Sequence, residues 1–188
     1  MDSSLPQSLL NADGDEIGPI FDAAWQAASI PRQLALACAL AESGLNPRAE
    51  RWGRSTAAAR SAIQADDRAW LAEIIDAAWP DISFGYGQQI VLYHYLGDRT
   101  SSVENVLAVR DGVFADPAGN LVDMCRRLAG CLARARACDL EPVAGDELLG
   151  ALVVYNSGAW HAADDAWWTS WAGNVRAYAS MLQRIRSG

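Results

Sequence analysis

Within the stretch ALAESGLNP (residues 39–47), Glu42 is the one carboxylate, and it stands at the end of an otherwise apolar helix. Leu34 to Ala41 is apolar without a break. Glu42 continues the line of Leu34 and Cys38 at steps of four, which points it inward or into a cleft. Removal from water disfavours a charged carboxylate, and the partial negative charge at a helix C-terminus disfavours it again. Both effects raise the pKa, which suits an acid that must donate a proton near neutral pH. The plain alternative is that Glu42 is the first exposed residue past a buried helix, and the segment alone leaves both open.

Cleavage of a glycosidic bond by such an acid commonly uses a second carboxylate, either a nucleophile or a base that activates water. Asp81 is the best placed, with Asp66 and Asp67 behind it, although Asp81 after Pro80 also reads as a plain turn residue. The loop SFGYGQQ (83–89) brackets Tyr86 between Gly85 and Gly87. Bare backbone there would let a sugar chain approach, with Gln88 and Gln89 hydrogen-bonding its acetamido groups. YNSG (155–158) ends another apolar helix with Tyr155, Asn156 and a hydroxyl, able to face the same cleft or simply to cap the helix. Of the eight Trp, Trp160, Trp167, Trp168 and Trp171 are clustered, and either pack a core or stack on pyranose faces.

The elements that must position these residues follow a helical period almost throughout, so the fold class is mostly α. IFDAAWQAAS (20–29) makes a short amphipathic helix, and Pro31 opens a helix that Gly44 and Pro47 close. Residues 49–80 form one or two helices ended by Pro80, and QQIVLYHYLG resumes a helix after the Gly-flanked loop. Asp116 caps and Pro117 starts a long helix to about Cys138, with Arg126, Arg127, Arg134 and Arg136 on its wetter side. Asp146 caps the helix that stops at Gly158, and a Trp-rich connection leads to a last helix from Gly173.

Composition sets the bounds. A chain of 188 residues, 51% hydrophobic and 20% charged, fits one domain over 19–188 behind a polar tail at 1–18 whose composition is that of a disordered segment. The formal charge of -8, with all 15 basic side chains being Arg, argues against a nucleic-acid partner. Four Cys without a C-x-x-C spacing and only two His, His94 and His161, give no zinc pattern. The thiols are expected reduced, no cofactor or metal is expected, and a monomer is expected. No apolar run is long enough to span a membrane, and the first 30 residues lack the basic start and apolar core of a signal peptide.

Taken in order, these pieces resemble the soluble lytic transglycosylase family, which shares its lysozyme-like fold with goose-type lysozymes. ALAESGLNPRA is similar to the family's E-S-x-x-[ND]-P motif, and FGYGQQI to its G-[LY]-x-Q segment. DPAGNL resembles D-P-x-x-N-I, ALVVYNSGAW resembles A-x-x-x-Y-N-A-G, and VRAYASML resembles the closing Y-V-x-x-[VI] helix. The match runs from about residue 33 to 183.

The resemblance implies that Glu42 is a catalytic acid and then base acting on peptidoglycan, between N-acetylmuramic acid and N-acetylglucosamine. It places Ser43, Gln88, Tyr155 and Asn156 where they hold the acid or the N-acetyl sugar. The reaction it implies ends in a 1,6-anhydromuramyl product and needs one carboxylate. Two features depart from the family. Glu42 and Gln88 are 46 positions apart, so a helical segment around 50–80 reads as inserted, and G-L-M-Q has become G-Y-G-Q. Asp81 is similar to acids that place a water in goose-type enzymes, which keeps hydrolysis open. A different class of reading is a non-catalytic wall-binding or structural module of a virion or secretion apparatus. Without a visible signal peptide, the expected routes to the wall are a phage endolysin, a virion-associated enzyme or a machine-exported protein.

Overall fold

A computed structural model of the chain describes residues 9–79, 81–90 and 102–187, and of Gln89 and Ile90 the backbone only. Eight α-helices, one short 3-10 helix (Glu141–Val143) and one small antiparallel sheet account for the regular structure of these residues, so the mostly α class holds.

The larger core is helical. α1 (Gly18–Ala27) buries Phe21 and Ala24, and α2 (Arg32–Ser43) buries Leu34 to Ala39 in one unbroken run. Gly44 closes α2 in the left-handed region at φ 61°, where its amide donates to the Leu40 carbonyl at 3.0 Å. Pro31 sits one position before the helix proper, in extended backbone, because its fixed φ suits the entry and its missing N–H costs nothing there.

α6 (Pro117–Arg136) starts where Asp116 accepts from the Gly119 amide at 2.9 Å, and carries a buried stripe from Leu121 through Leu128 to Ala135. α7 (Glu147–Ser157) is buried from Leu148 to Tyr155, as a helix apolar on all sides must be. It packs against α6 and against α8 (Trp167–Ser187), while α2 packs against α8. α8 begins at Trp167 rather than near Gly173. The Asp165 side chain accepts from the Trp167 amide at 2.8 Å, so part of the Trp-rich connection is already the first turn of the helix.

The smaller core belongs to residues 50–84 and 103–114. β1 (Glu50–Trp52), β2 (Ile82–Phe84) and β3 (Gln89–Ile90) pair antiparallel in that order, with Arg51 opposite Ser83 and Phe84 opposite Gln89. Trp52, Ile82 and Phe84 turn one face of the sheet onto α3 (Thr56–Gln64), α4 (Arg68–Ala78) and α5 (Val103–Ala115).

The inserted segment is therefore not purely helical: a strand precedes its two helices, and strands this short carry no alternation long enough to read. Gln89 and Ile90 are strand rather than the start of a helix, and the rest of QQIVLYHYLG, His94 included, lies outside the described residues. α5 has no counterpart in the sequence reading.

The expected polar tail is also corrected in its second half. Leu9 and Ile17 are buried, Leu10 and Glu16 form a bridge, and Glu16 Oε1 accepts the amides of Leu9 and Gly18. Two apolar side chains and a satisfied turn are enough to fasten residues 9–18 to the core; residues 1–8 lie outside the described set. Cys38, Cys125, Cys131 and Cys138 are free thiols. Among the described residues no helix is long and apolar enough to cross a membrane.

Candidate active site

A cleft opens between the two cores, and Glu42 lies in it at the last turn of α2. Glu42 Oε1 accepts two hydrogen bonds, from Asn156 Nδ2 at 3.0 Å and from the Tyr178 hydroxyl at 3.0 Å. Both fall on one oxygen, so among the described residues Oε2 is left without a partner and is the oxygen that can carry a proton. Burial pushes the Glu42 carboxyl above its ordinary value. The bonds from Asn156 and Tyr178, and the positive charges of Arg51 and Arg127, pull the other way, and burial wins. The result is an acid raised but not stranded, since the groups that oppose the shift also stabilise the anion left after proton transfer.

Burial and the nearby Glu42 push the Tyr178 phenol well above its usual range, so it stays a donor. Tyr155 is likewise raised by burial, and its hydroxyl donates to the Gly87 carbonyl at 2.8 Å. That bond joins α7 to the loop before β3. The Arg127 guanidinium lies over the Tyr155 ring at 4.6 Å and donates to the Tyr155 carbonyl at 3.3 Å. Trp171 closes the helical wall of the cleft.

The sheet supplies the opposite face. Strand alternation sends Glu50 and Trp52 to the smaller core and Arg51 to the cleft, and likewise sends Ile82 and Phe84 inward and Ser83 to the cleft. Ser83 donates its hydroxyl to Gln88 Oε1 at 3.2 Å, while Gln88 Nε2 donates to the Gly85 carbonyl at 3.1 Å. Asp81 is exposed and lines the same cleft as Glu42.

Of the residues singled out in the sequence, Glu42, Asp81, Gln88, Tyr155, Asn156 and, of the Trp cluster, Trp171 share this cleft. Ser43 does not line it: its hydroxyl turns back to the Ala39 carbonyl at 2.8 Å, the ordinary habit of Ser inside a helix. Tyr86 is also corrected. It is buried in the larger core at 1% exposure, with its amide donating to Asn120 Oδ1 at 2.8 Å. The Gln89 side chain lies outside what is described.

The glycines of the loop are there for a different reason from the one the sequence suggested. A Cβ at Gly85 would strike Asn120 and Val113, and one at Gly87 would strike the Tyr155 hydroxyl and Met124. The bare backbone admits the protein's own side chains, not a sugar. Gly85 is additionally at φ 79°, which side chains rarely adopt.

Tyr178, Arg51 and Arg127 were not assigned to the site from the sequence. Tyr178 had a signal, since it is the Tyr of VRAYASML. Arg127 reads as one more cation on the wet side of α6, and Arg51 as part of an inserted helix. No metal-binding group of three or more His, Cys, Asp or Glu occurs among the described residues. No family model, curated protein or solved structure matches the chain.

Proposed function

We propose that this protein cleaves peptidoglycan at the β-1,4 bond between N-acetylmuramic acid and N-acetylglucosamine, as a lytic transglycosylase of lysozyme-like fold. The observation that carries the reading is Glu42 itself: a half-buried carboxyl in an open cleft, raised by burial, with one oxygen fixed by two donors and the other free. A helical body facing a small antiparallel sheet across that cleft supports the lysozyme-like assignment.

In this reading Glu42 Oε2 gives its proton to the bridging oxygen and the C1–O bond breaks. The acetamido oxygen of the same sugar shares the positive charge at C1. Glu42, now an anion held by Asn156 and Tyr178, takes the proton of the C6 hydroxyl as O6 bonds to C1. The acid is restored, and the product ends in a 1,6-anhydro ring. A second reading is favoured by one observation, the presence of Asp81 in the same cleft. Asp81 would then orient a water in place of the C6 hydroxyl, and the product would have a reducing end.

Digestion of purified peptidoglycan followed by mass spectrometry of the released fragments tests both. Anhydro ends are expected from the parent protein. Glu42→Gln is expected to lower release by about 10²–10⁴-fold, the usual worth of general acid–base catalysis, with the fold intact. Reducing ends that vanish in Asp81→Asn would replace transglycosylation by hydrolysis. Undiminished release by Glu42→Gln would remove the acid assignment. No release by the parent protein would leave a wall-binding or structural module.

A further inference from the structure

The two cations in the cleft are the feature that proton transfer alone does not require. Several arginines elsewhere meet carboxylates, as Arg60 and Arg110 meet Glu50, Arg136 meets Glu147 and Arg186 meets Asp146, while Arg48, Arg54, Arg134, Arg176 and Arg184 make no ion pair among the described residues but lie outside the cleft. Arg51 and Arg127 line the cleft, and neither makes an ion pair among the described residues. Arg51 is exposed, on the sheet face, beside Ser83 in register. Arg127 is half-buried and held from below by the Tyr155 ring and carbonyl, with guanidinium donors to spare. With Glu42 protonated, two positive charges in the cleft stand against one carboxylate, Asp81, in a chain whose formal charge is -8. Positive charge kept unpaired in the cleft of an acidic protein selects an anion.

We propose that Arg51 and Arg127 form a carboxylate-binding subsite beside Glu42 that takes the acidic group of the muramoyl substituent and so separates muramoyl glycans from chitin-like ones. The inference rests on the peptidoglycan reading above. N-acetylmuramic acid differs from N-acetylglucosamine by a lactyl ether at O3, and the carboxylate is either that of the lactyl group or one of the peptide built on it. Arginine is suited to this: its planar fork binds a carboxylate through two charge-assisted bonds. A further consequence concerns the acid. Arg51 and Arg127 both pull the Glu42 carboxyl down, so a carboxylate bound between them cancels that pull and favours the protonated acid once substrate is in place.

The test uses the full chain carrying Glu42→Gln, so that ligands bind without being cleaved. Calorimetry compares the alternating N-acetylglucosamine and N-acetylmuramic acid tetrasaccharide, its lactyl methyl ester, the same glycan bearing stem peptides, and chitotetraose. The free acid or the peptide-bearing glycan is expected to bind about 10-fold more tightly than the ester and chitotetraose, the worth of one charge-assisted pair. Whichever of the two shows the preference identifies the source of the carboxylate.

Arg51→Gln is expected to reduce the preference to about 3-fold, and Arg51→Gln with Arg127→Gln to abolish it. Arg51 is exposed, so that variant decides the matter even if Arg127→Gln disturbs the packing on Tyr155. Equal affinity for acid, peptide-bearing glycan and ester, or a preference that survives Arg51→Gln undiminished, overturns the subsite. Fragment release by the parent protein together with such equality leaves the peptidoglycan reading standing and removes only the subsite. No release and no binding of any of the four glycans removes both.

Discussion

The two walls of the cleft are built on opposite plans. On the helical wall, the partners of Glu42 come from far along the chain, Asn156 on α7 and Tyr178 on α8, and they converge on one oxygen. On the sheet wall, the polar contacts are local: Ser83 reaches Gln88 five residues on, and Gln88 reaches back to Gly85. The smaller core is fastened by a carboxylate of the other kind. The Glu50 side chain is 5% exposed and accepts from Arg60 at 2.5 Å and Arg110 at 3.0 Å. Burial would raise it as it raises Glu42, but these bonds and one from Trp52 outweigh burial and hold Glu50 below its ordinary value.

One residue type thus serves two purposes in this fold. Glu50 meets full cations at contact distance and becomes a permanent anion. Glu42 meets neutral donors, with its two arginines further off, and stays an acid. The stability consequences have opposite signs. Glu50 contributes stability above its unfolded value, and loses it as pH falls through the lower folded value. Glu42 is easiest to bury when protonated, so its contribution is complete below its unfolded value and is lost as pH rises through the higher folded one.

The largest expected effect sharpens that contrast. Glu50→Ala takes the carboxylate from Arg60 and leaves Arg110 with Asp111 alone, unties α5 from β1, and is expected to cost about 2–3 kcal/mol near neutral pH. Urea unfolding measures it, and the gap from the parent protein should narrow in acid as Glu50 itself protonates. A gap independent of pH would break the assignment of Glu50 as a held anion. Next comes the seam between the walls. Gly87→Ala drives a methyl against the Tyr155 hydroxyl and Met124, with an expected cost of about 1–3 kcal/mol and a fall in fragment release. A variant as stable as the parent would show that the loop yields freely.

The smallest effect in energy is the most diagnostic. Tyr178→Phe keeps the ring and removes one of the two donors that oppose the raised acid. Activity that depends on protonated Glu42 falls as pH rises through its pKa, so this variant should move the alkaline limb of the pH–rate profile upward. The rate itself should fall about 10-fold or less. A slower enzyme with an unmoved limb would make Tyr178 a packing residue only.

The sequence by itself determined most of the helices, though not α5 or the start of α8, together with the Asp116 and Asp146 caps, the Gly44 and Gly158 ends, and the odd placing of Glu42 on an apolar helix. These are features of local spacing, and local spacing is what a helical period and a cap residue record. It could not determine that Gly85 and Gly87 make room for Asn120, Val113, Met124 and Tyr155, since that depends on side chains some 25 to 70 positions away. Nor could it choose Oε1 as the oxygen of Glu42 that two donors hold, or place Arg51 on a strand facing the cleft. Those facts depend on which elements pack together, and tertiary packing alone brings residues 114 and 136 positions from Glu42 to within 3.0 Å of one oxygen.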